Sequence, residues 1–214
     1  MARAKIPRKS TNIDMTAMCD VAFLLLSFFI LTTKFKPAEA ITVTPPNSVS
    51  TKTAPNKDYV LVTIDKTGKV FLSIESEEMK EKLAEKINEK QNLGLNVKAF
   101  KKAGFFGASF AQLKQFLELP EEKRKGENLP GIPCKDSTSN ELVGWMTLIK
   151  ETFAGQELHL LLKGDNQVKY SVFDNVLTAF KKNDFDKFQM VTNPESVPEG
   201  TELWKSFRGV TVKK

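Results

Sequence analysis

The stretch that decides the fold runs from Met15 to Thr33 and reads MTAMCDVAFLLLSFFILTT. It contains no Lys or Arg, and Asp20 is its sole charged residue. At a rise of about 1.5 Å per residue, a helix of this length spans roughly 28 Å, close to the hydrocarbon thickness of a bilayer. The sequence therefore predicts a membrane-spanning helix, which we expect over residues 15–35.

Two other interpretations of this stretch stay open. A buried core helix normally keeps a polar face, and this run has almost none. A cleaved signal peptide would explain the basic start, the apolar centre and the small-residue triplet Ala38-Glu39-Ala40. Against it, about twenty residues precede the apolar run, and a carboxylate stands where that run begins. The membrane anchor is the favoured interpretation.

A short basic arm precedes the helix. Residues 1–14 hold four basic residues and one acidic residue, a local charge of +3 and half of the formal net charge of +6. By the positive-inside rule, this arm places the N-terminus in the cytoplasm and the rest of the chain beyond the membrane. The net charge therefore indicates membrane orientation and not nucleic-acid binding. With 41% hydrophobic and 27% charged residues, the chain is not a polytopic membrane protein.

The predicted helix carries one narrow polar stripe. At about 100° per residue, Thr16, Asp20 and Ser27 fall within about 40° of arc. A single helix cannot bury this stripe alone, so we expect it to face another copy, a different membrane subunit or a water-filled path. One hypothesis is that Asp20 carries protons, being neutral in apolar surroundings and ionised in a hydrated path. The alternative is that Asp20 lies at the cytoplasmic interface and only extends its carboxylate toward water.

The segment Ile13–Val21, which continues into Phe23–Phe29, resembles the signature of the ExbD/TolR family of biopolymer-transport energisers. That signature has a basic cytoplasmic arm, a polar residue, Thr, Pro, an essential Asp and then one apolar span. Asp20 takes the position of the family's proton-translocating aspartate, and Thr16 takes that of its Thr. Ala17 departs from the family, which commonly has Pro there; Pro presets the backbone at a helix start but is not required chemically.

This resemblance implies a proton-motive-force-driven, energy-transducing subunit of the inner membrane. Two such helices would pass through a ring of a multi-pass ExbB-like partner, with Asp20 protonated and released in turn and with Thr16 and Ser27 lining the proton path. The periplasmic part would engage a TonB-like protein and power transport across the outer membrane. A TolR-like role in envelope integrity, a non-transducing anchored periplasmic binding module and a secreted domain released by signal cleavage are the alternatives.

Residues 36–57 are rich in Pro, Thr, Ser and Lys, a composition typical of a flexible linker. Within them, Ile41–Thr44 is predicted as a short strand, and the resemblance matches it to the family's juxtamembrane strand ending in Pro. We expect Ile41, Val43 and Pro45 to form a linker strand that binds a partner and that switches between paired and loose states.

Residues 58–192 predict one small α+β domain. The last strand, helix and strand make a right-handed βαβ unit. The hairpin and this unit resemble the family's periplasmic domain, including the loop Lys163–Asn166. The predicted elements, in chain order, are a hairpin of Tyr59–Ile64 and Lys69–Ile74, a helix from Ser76 to about Gln91, a helix opening at Ser139 or Asn140, a strand over Leu158–Leu162, a helix capped by Ser171 and a strand over Lys187–Thr192.

Residues 93–133 do not match the family core and are interpreted as an insertion. They contain one short amphipathic helix, whose predicted apolar face is Phe110, Leu113 and Leu117. The mixed charges at 121–125 predict a solvated helix end.

No constellation of catalytic or metal-ligating residues stands out in the sequence. The single histidine, His159, has no cluster of Cys, Asp or Glu beside it, and neither a Gly-rich phosphate loop nor a nucleophile elbow is present. We therefore expect a protein that is not an enzyme and that uses no cofactor. Cys19 and Cys134 should lie on opposite sides of the membrane, so we expect Cys134 to be a free thiol. For the tail, residues 193–214, two roles stay open: Trp204, Phe207 and Val210 dock on the domain as an edge strand, or they contact a partner.

Overall fold

The chain contains two compact units, residues 1–38 and residues 39–214. The first holds one apolar helix, and the second holds a mixed α+β body, which confirms the predicted fold class. The structure, a computed structural model, describes residues 15–32, 41–50, 52–124, 129–135 and 139–207.

Helix α1 of the first unit covers Met15–Thr32. None of its residues is buried, and its apolar side chains are exposed on every side. It is long and apolar enough to cross a membrane. Because a core helix would bury much of this surface, the core-helix interpretation is disfavoured. The helix begins where the sequence predicts, and residues 33–35 of the predicted span lie outside the described residues.

The second unit is built on a four-stranded sheet. Its strands lie side by side in the order Val70–Ile74 (β3), Tyr59–Ile64 (β2), His159–Gly164 (β4) and Gln189–Met190 (β5). Strand β2, Tyr59–Ile64, pairs antiparallel with β3, Val70–Ile74, and parallel with β4, His159–Gly164. Strand β4 also pairs parallel with β5, which covers only Gln189–Met190. The predicted hairpin and the parallel pairing of the last two strands are thus confirmed, while the strand predicted over Lys187–Thr192 is shorter than expected.

The hairpin turn is held by the side chain of Asp65. Its carboxylate accepts hydrogen bonds from the backbone N–H groups of Thr67 at 2.9 Å and Lys69 at 2.7 Å. Gly68 closes the turn at a φ of +84°, a left-handed conformation that glycine adopts without a Cβ clash. These bonds fix the register in which Ile64 faces Val70.

Alternate residues of β2 point to opposite faces of the sheet. Val60, Val62 and Ile64 are fully buried, whereas Leu61 and Thr63 on the second face are half-buried. The buried face belongs to the same hydrophobic cluster as the buried side chains of the helices. The helices of this unit are α2 Glu77–Gln91, α3 Val97–Lys102, α4 Phe110–Glu118, α5 Glu141–Thr152, α6 Tyr170–Lys182 and α7 Glu202–Phe207, with a 3-10 turn at Glu121–Arg124.

The helix caps agree with the sequence at one site and differ at another. Ser76 caps α2 as predicted, and its side chain accepts a hydrogen bond from the backbone N–H of Met79. Helix α6 instead begins at Tyr170, with Lys169 at its N-cap position, so the cap predicted at Ser171 is wrong. The preceding turn, in which the backbone N–H of Val168 donates to a carbonyl, starts the helix without a side-chain cap.

The region interpreted as an insertion, 93–133, is joined directly to the sheet. Phe106 exchanges two backbone hydrogen bonds with Leu72 of β3, at 2.7 and 2.8 Å. Further along, the backbone N–H of Ile132 donates to the carbonyl of Val70 at 2.8 Å. Both bridges lie on the outer side of β3, so this region closes one edge of the sheet.

A cluster of aromatic rings packs the same region into the core. Phe106 stacks on Phe100 with ring centroids 4.1 Å apart and on Trp145 of α5 at 5.7 Å. Phe110 also stacks on Trp145, with ring centroids 4.8 Å apart. On α4 the buried residues are Leu113, Phe116 and Leu117, so the predicted apolar face gains Phe116 while Phe110 is only half-buried.

One residue of the charged run after α4, Arg124, differs from the sequence prediction of a solvated helix end, whereas Lys123 is exposed as predicted. Arg124 is buried, and its guanidinium donates to the carbonyls of Leu119 at 2.8 Å and Leu117 at 2.7 Å. These carbonyls lie at the end of α4 and have no partner within the helix. Arg124 therefore closes the helix C-terminus, and its long apolar stem packs while its charge meets acceptors.

The strand predicted at Ile41–Thr44 is found a few residues later in the chain. Strand β1 is Asn47–Ser48, and it pairs parallel with β6, Asn193–Pro194, in a separate two-stranded sheet. The prediction at Ile41–Thr44 is wrong because the backbone of Thr44 bonds to a loop and not to a strand ladder.

Phe106→Ala should lower the free energy of unfolding by about 3–5 kcal/mol, because it leaves a cavity among stacked rings at a fully buried site. Denaturant titration of the full chain in detergent, followed by tryptophan fluorescence, measures the change. Phe188→Ala is the matched control, since Phe188 is 38% exposed and should cost far less. Equal losses in the two variants would contradict the assignment of this region to the core.

Candidate functional site: the carboxylate of α1 and a docked strap

Asp20 lies on the exposed surface of α1, between one and two turns from its first residue. Among the described residues, none gives its carboxylate a hydrogen bond or an ion pair. In hydrocarbon an isolated charge on a helix costs about 2.5–3.5 kcal/mol near the bilayer centre on insertion scales. The described part of the chain therefore offers Asp20 no partner that would offset this cost.

Ser27 differs from Asp20 in this respect. Its hydroxyl donates to the backbone carbonyl of Leu24 at 2.9 Å, so its proton is satisfied inside the helix. The structure places Thr16, Asp20 and Ser27 on one helix at the predicted spacing, and within the described residues it shows no hydrogen bond or ion pair to the carboxylate of Asp20. The proton path itself stays a prediction.

The second candidate region is the strap, defined as residues 41–48. Ile41 is 9% exposed and Val43 is 7% exposed, whereas Thr42 and Thr44 between and after them are exposed. This alternation puts one side of the strap into the hydrophobic core of the body. Full burial of a Val or Ile side chain is worth about 1.5–3 kcal/mol, so these two residues dock the strap firmly.

Polar contacts fix the middle of the strap to the loop after β4. The backbone N–H of Thr44 donates to the carboxylate of Asp165 at 3.0 Å, and its carbonyl accepts from the backbone N–H of Asn166 at 3.0 Å. The two bonds from Thr44 and Gln167 hold the pKa of Asp165 below its ordinary value, with the Thr44 bond the larger cause. Asp165 is therefore charged, and its charge strengthens the contact.

The far end of the strap is tied to the segment after β5. The carbonyls of Pro46 and Ser48 accept hydrogen bonds from the backbone N–H groups of Asn193 and Glu195, at 3.0 and 2.9 Å. The side chain of Asn193 also donates to the carbonyl of Pro45 at 3.2 Å. Because Pro45 lacks an N–H group, only its carbonyl can join this network.

The residues predicted to bind a partner are therefore placed differently from the sequence expectation. Ile41 and Val43 point into the body, so they are covered in this arrangement. Residues 41–48 are held against the body by several hydrogen bonds, which differs from the loose linker expected for this part of 36–57. The contribution of Asp165 was signalled in the sequence only by the family-like loop Lys163–Asn166, and the pairing role of Asn193 had no sequence signal.

The sequence also drew attention to His159 and to Cys134. His159 is half-buried and lines an open cleft of about 520 Å³ together with Glu157 and Lys187. Within the described ranges no group of three or more His, Cys, Asp or Glu side chains could hold a metal ion. Cys134 is a buried free thiol, and burial raises its pKa to about 11 against the opposing hydrogen bond from Asn140. A neutral buried thiol is unreactive at physiological pH.

Acidification should loosen the strap at Thr44. Because the folded pKa of Asp165 is lowered, its contribution is fully present above the ordinary carboxyl pKa and is lost as the pH falls through the lowered pKa. The amide resonance of Thr44, followed by NMR of the full chain in nanodiscs, should move over that range. In Asp165→Asn this pH-dependent shift should be absent; a shift that persists in the variant would contradict the assignment.

One protein family model matches a segment that contains both Asp20 on α1 and the strap. The family model for the biopolymer transport protein ExbD/TolR matches residues 7–195, which include α1, the strap and the whole four-stranded sheet. No curated protein and no solved structure matches this chain. The matched segment covers most of the sequence and begins in the basic arm, before the helix that carries Asp20. The chain therefore belongs to the ExbD/TolR family of biopolymer transport proteins.

Proposed function

We propose that this chain is the energy-transducing subunit of a proton-driven, ExbB-ExbD-like motor of the inner membrane, which powers TonB-dependent transport across the outer membrane. The observation that carries the proposal is Asp20, the sole charged residue of α1, in a chain of the ExbD/TolR family. A carboxyl group in that position can take up a proton from one side and release it to the other.

Proton transfer through Asp20 follows from the two states of a carboxyl group. In apolar surroundings the neutral acid is favoured, and in a hydrated path the ionised form is favoured. Each elementary charge that crosses the membrane potential releases about 2.3 kcal/mol per 100 mV. A cycle of protonation and release can therefore drive motion of α1 against a surrounding partner.

The partner must be another membrane protein or another copy of the chain. Helix α1 buries none of its side chains within the described residues, and a polar stripe in a membrane needs a protein or water neighbour. We propose a ring of a multi-pass ExbB-like protein around two copies of α1. Thr16 and Ser27 would line the path next to Asp20, with Ser27 offering an oxygen lone pair because its proton is already used.

The basic arm supports a cytoplasmic N-terminus and a periplasmic body. Only residues 33–40 separate α1 from the strap along the chain, so motion of the helix would reach the body through the strap. The body would then engage a TonB-like protein. A TolR-like role in envelope integrity is the second candidate, because the matching family model covers both kinds of protein.

Asp20→Asn should abolish proton-dependent transport in cells while the protein still assembles with its membrane partner, because the amide cannot exchange a proton. Asp20→Glu, which keeps a carboxyl group, should retain part of the activity. Transport assays in a deletion strain, with co-purification as the assembly check, measure both effects.

Ser27→Ala is the matched control on the same stripe. It removes a proposed lining group but keeps the carboxyl, so it should reduce transport less than Asp20→Asn does. Full transport by Asp20→Asn would contradict the proton-carrying role and would favour a non-transducing membrane anchor.

A further inference from the structure

A small groove on the second face of the sheet is lined by Ile41, at the apolar end of the strap. It has a volume of about 50 Å³. Ile41 of the strap forms one wall, and Phe105 of the region 93–133 forms another. The floor is the sheet itself, with the side chains of Leu61, Thr63, Phe71, Ser73 and Lys163.

Phe71 connects the groove to the region 93–133. Its ring meets that of Phe105 edge-to-face, with centroids 6.3 Å apart. On another side it packs so closely on Gly107 that a Cβ at that position would overlap the ring. Phe71 is 3% exposed, so the wall and the floor form one packed unit.

Phe105 is held in place by its chain neighbour Phe106 and by contacts of its own ring. The next residue, Phe106, is fixed to Leu72 of β3 by two backbone hydrogen bonds. The ring of Phe105 also meets that of Phe116 on α4, with centroids 5.7 Å apart. The wall of the groove is therefore formed by a residue of 93–133 that is packed between two other rings, Phe71 and Phe116.

The hydrogen bonds that hold the strap are weaker than the burial of its apolar side chains. Thr44, Asn166, Asn193 and Glu195 are all exposed, so water can replace their hydrogen bonds when the strap opens. No such replacement exists for the buried side chains of Ile41 and Val43. The apolar contact at the groove is consequently the part of the docking that sets how often the strap leaves the body.

We propose that Phe105 is a latch, through which the region 93–133 holds the strap on the body and sets how readily it is released. If the proposed function is correct, this latch regulates when motion of α1 frees the strap. Release of the strap from the body would expose Ile41 and Val43, which the sequence predicts to bind a partner. The region 93–133 thereby sets the threshold at which the strap leaves the rest of the body.

The latch can be tested by the reactivity of a thiol placed under the strap. Val43→Cys in a Cys19→Ser background, reconstituted as the full chain in nanodiscs, should react with a maleimide only when the strap opens. Adding Phe105→Ala should raise the labelling rate roughly tenfold, because the groove loses one wall. Ile41→Ser, which removes the apolar contact from the strap side, should have a similar effect.

Two references separate release of the strap from general loosening. Cys134 is buried in the body, so its labelling rate should stay unchanged in the same samples. Phe110→Ala is the matched variant in the same region, since Phe110 packs on Trp145 and does not line the groove. It should leave the labelling of position 43 unchanged.

An unchanged rate at position 43 in Phe105→Ala or in Ile41→Ser would overturn the proposal, and so would an equal increase in Phe110→Ala. If Cys134 also reacts faster in Phe105→Ala, the milder Phe105→Leu decides: a selective increase at position 43 supports the latch, and no increase overturns it. Labelling does not depend on proton transport, so a failure of Asp20→Asn to affect transport would count against the proposed function and leave this measurement intact.

Discussion

The carboxylate of Asp20 stands on a helix with no buried side chain, and no group of the described chain pairs with it. If α1 lies in a membrane, as its length and apolar composition allow, the cost of placing such a charge in hydrocarbon would make the helix depend on a neighbour that supplies protein contacts or water. Among the described residues, no group of three or more His, Cys, Asp or Glu could hold a metal ion. The proposed function therefore rests on one proton-binding group, Asp20, acting in a larger assembly.

In the proposed function, motion of α1 would reach the body through the strap. The strap is docked by two buried side chains and by exposed hydrogen bonds. The region 93–133 makes two contacts that bear on the sheet and the strap. It closes the outer edge of β3 through Phe106, and it places Phe105 beside the strap. Among the described residues, bridges at Val70 and Leu72 occupy part of the outer edge of β3, so this edge is less available to a foreign strand than the edge of β5.

Local sequence signals predicted the elements whose causes are local. The hairpin at Asp65 to Gly68, the capped helix after Ser76 and the apolar helix with Asp20 all follow from neighbouring residues. Long-range pairing could not be predicted in this way. The strap was expected to be a strand over Ile41–Thr44, but its partners lie more than a hundred residues away along the chain, and the buried Arg124 meets carbonyls that only the folded turn presents. Ile41 and Val43, which the sequence predicts to bind a partner as part of a linker strand, are buried against the body in the structure, and their partner-binding role stays a prediction.

Proton flux through the assembled complex tests the central claim most directly. The full chain, co-reconstituted with its membrane partner in liposomes that carry a pH-sensitive dye inside, should acidify or alkalise the lumen when a pH gradient and a membrane potential are imposed. The proton-carrying role predicts flux with the native chain and none with Asp20→Asn at equal incorporation. Equal flux with both chains, or flux from the partner alone, would contradict it.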